Sequence, residues 1–276
     1  MGNVGDNFSF HGLYVCPDLD IATYALAGVA DGTRGWGLRG DTFSALAQLE
    51  DLGLEAWFRL GDRDMAVQVA RKAMLDGGAT LTGATDALRR MFGVPHLILP
   101  VTDDKVETHM ITPGGPMHLQ EFWVREGGRP KVVGVEYRGS RSSRVTAQVE
   151  RALKGADRVV VCPANPVTSI GPILAVPGVL EGLVGTRARI SALSPMLGNA
   201  PFSGPASKMM KGLKLRPDSA GVAAGYSAFL DAIVIDRSDA SMKGPIEETG
   251  VECVLSRTAM SGPADETRLA KELVGA

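Results

Sequence analysis

The chain is poor in the features that usually announce a protein's class. Its three cysteines, Cys16, Cys162 and Cys253, are odd in number and far apart. That excludes a disulfide framework and a zinc site and makes a reducing cytoplasm the expected compartment. The longest apolar stretch, residues 170–184, is interrupted by Pro172, Pro177, Gly178 and Glu181, so no membrane span is expected. The first residues show no basic segment followed by an apolar one, so no signal peptide is expected. Position 6 is Asp6, where myristoylation after Met1-Gly2 calls for Ser or Thr. A net charge of -2 gives no electrostatic case for nucleic acid. No GxGxxG, Walker-type loop or Ser-His-Asp set occurs. His11, His96, His109 and His118 form no ligand spacing. His96, in an apolar run, reads as a core residue, and His11, beside the acidic loop, is the one of interest.

Carboxylates are present from the start. Asn3-Val4-Gly5-Asp6-Asn7 and Cys16-Pro17-Asp18-Leu19-Asp20 bring three acids and several amides into twenty residues, a pattern suited to a cation or a phosphate–metal complex. No upstream segment supports this loop. Apolar residues at 45% and charged residues at 22% are ordinary globular usage.

Apolar periodicity predicts helices over residues 18–29, 41–52, 62–75 and 81–92, the third with apolar positions 65, 66, 69, 70 and 73. Residues 96–100 read as a short buried strand. Residues 107–112 and 117–124 read as a hairpin around Pro113-Gly114-Gly115-Pro116, with a further strand over 132–138. Beyond this, strands at 158–162, 190–193, 232–236 and 251–255 alternate with helices at 171–183, 204–213, 221–230 and 265–274. Continuous apolar strands alternating with helices predict an α/β fold: a Rossmann-like, mostly parallel sheet with helices on both faces, carrying a helical and hairpin insertion. The expected division is a core of residues 1–30 and 140–276 with an insertion over 31–139. Ligands should sit beyond the carboxyl ends of the strands, at 163–169, 194–203 and 236–243.

Two of those loops resemble anion sites. Asn165, Thr168 and Ser169 open one helix, and Ser194, Gly198, Asn199, Ser203 and Gly204 precede the next. An ordinary capped turn explains either loop alone. Lys208 could meet a phosphate or be a solvated lysine. In residues 59–64, Asp62 reads as a helix cap and Asp64 as complementing the dipole, which leaves Arg59 without a role. Asp103-Asp104 reads mainly as exposed turn acids.

Seven ordered blocks then stand out: Asn3-x-Gly5-Asp6, Cys16-Pro-Asp-Leu-Asp20, residues 36–43, Leu60-Gly-Asp-Arg-Asp64, residues 99–104, residues 165–173 and residues 194–206. Together they resemble the 2-phospho-L-lactate transferase family of coenzyme F420 biosynthesis. The resemblance implies transfer of a phosphorylated three-carbon unit (2-phospholactyl or enolpyruvyl phosphate) from a GDP-linked donor to the ribityl hydroxyl of the deazaflavin Fo, with GMP released and Mg²⁺ required. It implies that Asp20 and Arg59 contact Fo and that Asn165, Ser194, Gly198, Asn199 and Gly204 line the guanylyl side. By charge and position, Asp6 and Asp18 are the candidates for catalysis, as proton acceptor, and for the metal. Small-molecule substrates, no nucleic acid, no membrane and a homodimer through the hairpin or the apolar helices are the expected partnerships. Family members carry a strand and a Gly-Gly-Thr-Gly-type loop ahead of the acidic loop, and this sequence contains no such segment. It also has Asn7 where a second acid is frequent, and Cys162 and Ala164 where glycine and serine are usual. A nucleotide-sugar-binding regulatory relative without transferase activity, or an inactive fragment, are the alternatives.

Overall fold

The computed structural model describes residues 1–198, 200–201 and 205–275. The acidic loop leads into a hairpin of β1 (Phe8–Phe10) and β2 (Leu13–Val15). His11 (φ 49°) and Gly12 (φ 75°) form its two-residue turn, both in the left-handed region that such a turn requires. His11 is therefore an exposed turn residue whose Nε2 lies 2.7 Å from the Glu55 carbonyl, and it lines none of the three cavities described below.

Helices α1 (Pro17–Leu26), α2 (Ser44–Asp51), α3 (Asp62–Asp76) and α4 (Leu81–Met91) follow. The caps of α2 and α3 are exchanged. Asp41 accepts from the N–H groups of Arg63 and Asp64 at the start of α3, and Asp62 accepts from those of Ser44 and Ala45 at the start of α2. Asp62 thus caps the neighbouring helix and not its own. A Cβ at Gly61 would collide with the Asp41 carboxylate, which accounts for glycine there.

The buried face of α3 is also not the expected one. Asp64, Gln68 and Arg71 are buried, whereas Val69 is 53% exposed. A polar network described below wins over the apolar periodicity.

Residues 96–100 do not form a strand. Pro100 makes one isolated parallel bridge to Gly2, and His96 is exposed. Next come β3 (Glu107–Thr112), β4 (Gly115–His118) and β5 (Gly134–Arg138), an antiparallel sheet in the order β4-β3-β5. The expected strand through residue 124 stops at His118 and turns into a single π-helical turn, Glu121–Arg125.

The second half contains α5 (Ala147–Gly155), β6 (Arg158–Val161), a π-helical turn Pro166–Ile170, α6 (Gly171–Leu174), α7 (Val179–Gly185), β7 (Arg189–Leu193), β8 (Met196–Leu197), β9 (Ala200–Pro201), α8 (Ala206–Gly212), α9 (Ser219–Tyr226), β10 (Ala232–Asp236), α10 (Lys243–Glu247), β11 (Glu252–Ser256) and α11 (Pro263–Gly275). The single helix expected over 171–183 is broken between α6 and α7, where Pro177 and Gly178 (φ 95°) fall. α5 was not legible as a helix in advance.

The main sheet is parallel throughout, in the order β11-β10-β7-β6, so its strands lie side by side in chain order, with the separate β8–β9 pair falling between β7 and β10 in sequence. β10 is buried along Ala232–Ile235, as a strand covered on both faces must be. β6 differs: among the described residues it pairs only with β7 and is half-exposed, with Val160 at 37%. The fold is a Rossmann-like α/β architecture. The main core runs without a break from Val4 and Leu19 through Met110 and Phe122 to Ile190 and Ile233, joining the parallel sheet to the antiparallel one. Among the described residues no single helix is long and apolar enough to cross a membrane.

Candidate functional site

The acidic loop is anchored by residues far downstream. Gly2 N–H donates to the Leu99 carbonyl (2.7 Å), Val101 N–H to the Gly2 carbonyl (3.0 Å) and Thr108 N–H to the Gly5 carbonyl (2.7 Å). Gly5 is obligatory, because a Cβ would lie 2.5 Å from Pro172 and 2.6 Å from the Thr108 hydroxyl. The loop is thus clamped between the antiparallel sheet and α6.

Asn3 organises the carboxylates. Its Oδ1 accepts the Gly5 N–H (2.7 Å). Its Nδ2 lies 2.8 Å from Asp6 Oδ1, 2.8 Å from Asp18 Oδ2 and 3.1 Å from the Thr168 carbonyl. Two partly buried carboxyls therefore share one amide. Desolvation pushes Asp6 well above the usual carboxylate range, and the neighbouring Asp18 adds to the rise, while the Asn3 hydrogen bond opposes it. Asp18 is raised for the same leading reason. No salt bridge neutralises either among the described residues.

Asp6 lines a cavity of about 450 Å³ at the carboxyl ends of β6, β7 and β11, with Asn165, Thr168, Ser194, Leu197 and Thr258 among its walls. This is where the strand order places a ligand. Asn165 Oδ1 accepts from the N–H groups of Val167 (2.9 Å) and Thr168 (3.4 Å), so the amides at this helix start are already capped. Ser194 Oγ sits 2.9 Å from Ser219 Oγ and accepts from Met196 N–H (3.1 Å). Gly198 N–H donates to Asp239 (3.0 Å) beside the cavity, and its own backbone lies outside the lining. Asn199 and Gly204 lie outside the described residues. Asp18 and Asn3 face a second space of about 650 Å³ against the edge of β6.

A third cavity, of about 420 Å³, opens between α1, α3 and residues 58–60. Its walls combine aromatic surfaces, Tyr24, Trp36, Phe58 and Trp123, with Asp20, Arg59, Asp64 and Gln68. The structure thus brings Asp20 and Arg59 to one cavity. Arg59 is exposed, its guanidinium 4.5 Å from the Phe43 ring centroid. Asp20 is buried and gripped by Arg71, whose two terminal nitrogens reach both of its oxygens, with Gln68 Nε2 donating to Oδ2 at 2.9 Å. Gln68 also donates to Asp64 (3.1 Å), and Tyr24 OH donates to Asp64 (2.7 Å). Burial raises the Asp64 carboxyl to about 6, Tyr24 and Gln68 partly offsetting it.

Sequence reasoning missed Arg71 and Gln68. Their signal was present: Asp64, Gln68 and Arg71 fall at i, i+4 and i+7, one polar stripe along a helix. It also missed Gln120 and Trp123, which carry no motif. Lys208 does not face the cavity at Asp6. Its ammonium is held by the carbonyls of Gly128 and Arg129. Asp103 accepts from Thr82 N–H at the start of α4 and Asp104 from Arg144 N–H, so both are turn-stabilising acids.

A resident metal can be weighed against these residues. Mg²⁺ needs one or two carboxylates completed by phosphate oxygens and water. Asp6 offers one carboxylate to the cavity and Asp18, linked to it through the Asn3 amide, faces the adjoining space, and no cluster of three or more His, Cys, Asp or Glu side chains suited to a metal occurs among the described residues. Among the described residues lining the cavity at Asp6 there is no Lys or Arg.

Residues 1–256 match the family described as 2-phospho-L-lactate transferase CofD. The chain is 39% identical to a 2-phospho-L-lactate transferase of Methanosarcina acetivorans, over 99% of this chain and 88% of that protein. It is 36% identical to a phosphoenolpyruvate transferase of Streptomyces griseus, over 99% of this chain and 89% of that one. Its fold resembles the crystal structure of protein BH3568 from Bacillus halodurans, with a TM-score of 0.63 at 12% identity, over 99% of this chain and 90% of that chain.

Proposed function

Since the chain belongs to the 2-phospho-L-lactate transferase CofD family, a family of transferases, we propose that it acts in coenzyme F420 biosynthesis, moving a phosphorylated three-carbon unit from a GDP-linked donor to the ribityl hydroxyl of Fo. The observation that supports this reading is the pair of adjoining cavities. One, at the strand ends, carries Asp6; the other, lined by aromatic side chains, carries Asp20 and Arg59. A planar heterocycle suits the second, because ring faces stack on Trp36, Phe58 and Trp123 while polar edges meet Asp20 and Arg59. The donor occupies the first, its guanylyl side toward Asn165 and Ser194. The three-carbon group is 2-phospholactyl or enolpyruvyl phosphate, the two chemistries that the relatives' names carry.

In the transfer, the ribityl oxygen attacks the phosphorus bearing the three-carbon group. The new P–O bond forms as the bridging P–O bond breaks, and GMP leaves with that bridging oxygen. Asp6 accepts the hydroxyl proton, a role favoured by a carboxyl whose proton affinity burial has raised. Asn3 holds Asp6 and Asp18 in register from the opposite side. A Mg²⁺ would be held chiefly by Asp18, with Asp6 beside it as the proton acceptor, and would supply charge neutralisation on the diphosphate.

The test is incubation of the purified chain with Fo, Mg²⁺ and each guanylylated donor, followed by chromatography. GMP and a phosphorylated deazaflavin should appear in equal amounts. No product with either donor would sink the proposal.

A further inference from the structure

The two cavities meet at one short segment. Among their described linings only Gln120 and Trp123 are common to both. The backbone there is a single π-helical turn, Glu121–Arg125, closed by Glu126 N–H donating to the Glu121 carbonyl (2.9 Å). Such turns recur where a fold must re-aim a side chain at a site. Here Phe122 is driven fully into the core while Trp123 remains 42% exposed beside it.

The indole is fixed from behind. Gly128, at φ 63°, lies so close that a Cβ would come within 2.7 Å of the Trp123 ring. Gly128 N–H donates to the Phe122 carbonyl (2.8 Å), and the carbonyls of Gly128 and Arg129 hold the Lys208 ammonium from α8. A large, half-exposed aromatic is thus braced on one side and presented to both cavities on the other. Gln120 stands beside it, its Nε2 3.3 Å from the Asp6 carbonyl, and so ties the partition to the acidic loop.

We propose that Trp123 is a positioning residue that partitions the two substrates, its indole packing on the ring of the acceptor while its edge keeps water from the donor phosphorus. This rests on the assignment of the two cavities to donor and acceptor. The competing event it suppresses is hydrolysis. A water oxygen attacks the same phosphorus, the same bridging P–O bond breaks, and GMP leaves together with the free phosphorylated three-carbon acid. The water proton passes to the carboxylate that would otherwise take the hydroxyl proton.

The experiment compares the intact chain with Trp123→Phe and Trp123→Ala, measuring GMP release and phosphorylated Fo in the same samples. The unmodified chain should release one GMP per transfer. Trp123→Ala should raise the KM for Fo roughly tenfold, the scale of one lost aromatic stack, and should release GMP in excess of transferred product. Trp123→Phe should restore most of the coupling. A Trp123→Ala variant with unchanged Fo KM and GMP matching product would overturn the partition. Should the unmodified chain transfer nothing, the functional assignment fails on its own. The partition then stands or falls on acrylamide quenching of the emission that Trp123→Phe removes. Protection by Fo alone and by GMP alone supports it, and protection by neither overturns it.

Discussion

Arg71 grips Asp20 with both terminal guanidinium nitrogens inside the protein, and Arg71 itself is only 1% exposed. The pair fixes where the Asp20 carboxylate points in the cavity proposed for the acceptor. Removing the cation while leaving the anion is the costly half of such a pair. Arg71→Met should destabilise the fold by about 3–5 kcal/mol and abolish Fo binding. Adding Asp20→Asn to Arg71→Met should recover much of the stability and none of the binding. Denaturant melts of the two single variants and the double variant measure the coupling, and strictly additive losses would show that the pair does not act as one unit.

Arg59 makes the contrasting case. It is exposed and its guanidinium stacks over Phe43 without holding the core together. Arg59→Ala should leave the melting temperature nearly unchanged while raising the KM for Fo roughly tenfold, the expected scale for a charge-assisted contact of about 1.5 kcal/mol. Unaltered binding, read by Fo fluorescence, would place the acceptor elsewhere.

Asp64 supplies a pH dependence of stability. Its carboxyl binds a proton more tightly when folded, at about 6, than at the ordinary value of 3.8 expected when unfolded. The folded state therefore carries the extra proton between those values, and stability falls as pH rises through the window, then levels off above it. Asp64→Asn should flatten that part of the curve. A slope that survives the substitution in thermal melts from about pH 4 to 7 would assign the effect to another group.

Burial raises both the Asp6 and the Asp18 carboxyl, and Asp18 adds to the rise at Asp6. Asp18→Asn should raise the melting temperature of the metal-free protein, since it relieves desolvation and a like charge. It should also increase the Mg²⁺ concentration needed for turnover. Asp6→Asn should lower kcat by roughly 10²–10⁴-fold, the range for loss of a general base, at any Mg²⁺ concentration. Equal responses of the two variants to Mg²⁺ would contradict the division of roles.

The parallel strands and most helices were legible because continuous apolar runs and helical apolar spacing are set by burial, which any sequence must encode locally. Three features were not. α3 buries Asp64, Gln68 and Arg71 because their partners Asp20 and Tyr24 lie 40 residues or more away, and periodicity carries no information on a partner. The strand expected at 96–100 lacks a ladder, for Pro100 offers no N–H and only Gly2 lies alongside. The strand expected to continue through 124 gives way to a π-helical turn that packs Phe122 inward, a tertiary demand invisible in a β-favouring run. Within the site, Asp20 and Arg59, paired beforehand only by the family resemblance, line one cavity, while the Gly198 N–H is taken by Asp239 and Lys208 is diverted to the turn behind Trp123. Motif order locates residues, and only the packed neighbours decide which of their atoms are free.

The exchanged caps of Asp41 and Asp62 turn the intervening stretch into a clasp. Each helix start is completed by an acid from beyond the far end of the connecting segment, so neither helix is whole without the other. Arg59, Phe58 and Trp57 ride on that segment. A protease nick in the exposed turn near Gly53 would leave the two halves fastened, and the cavity lined by Phe58 and Arg59 would hold its shape after the chain had been cut.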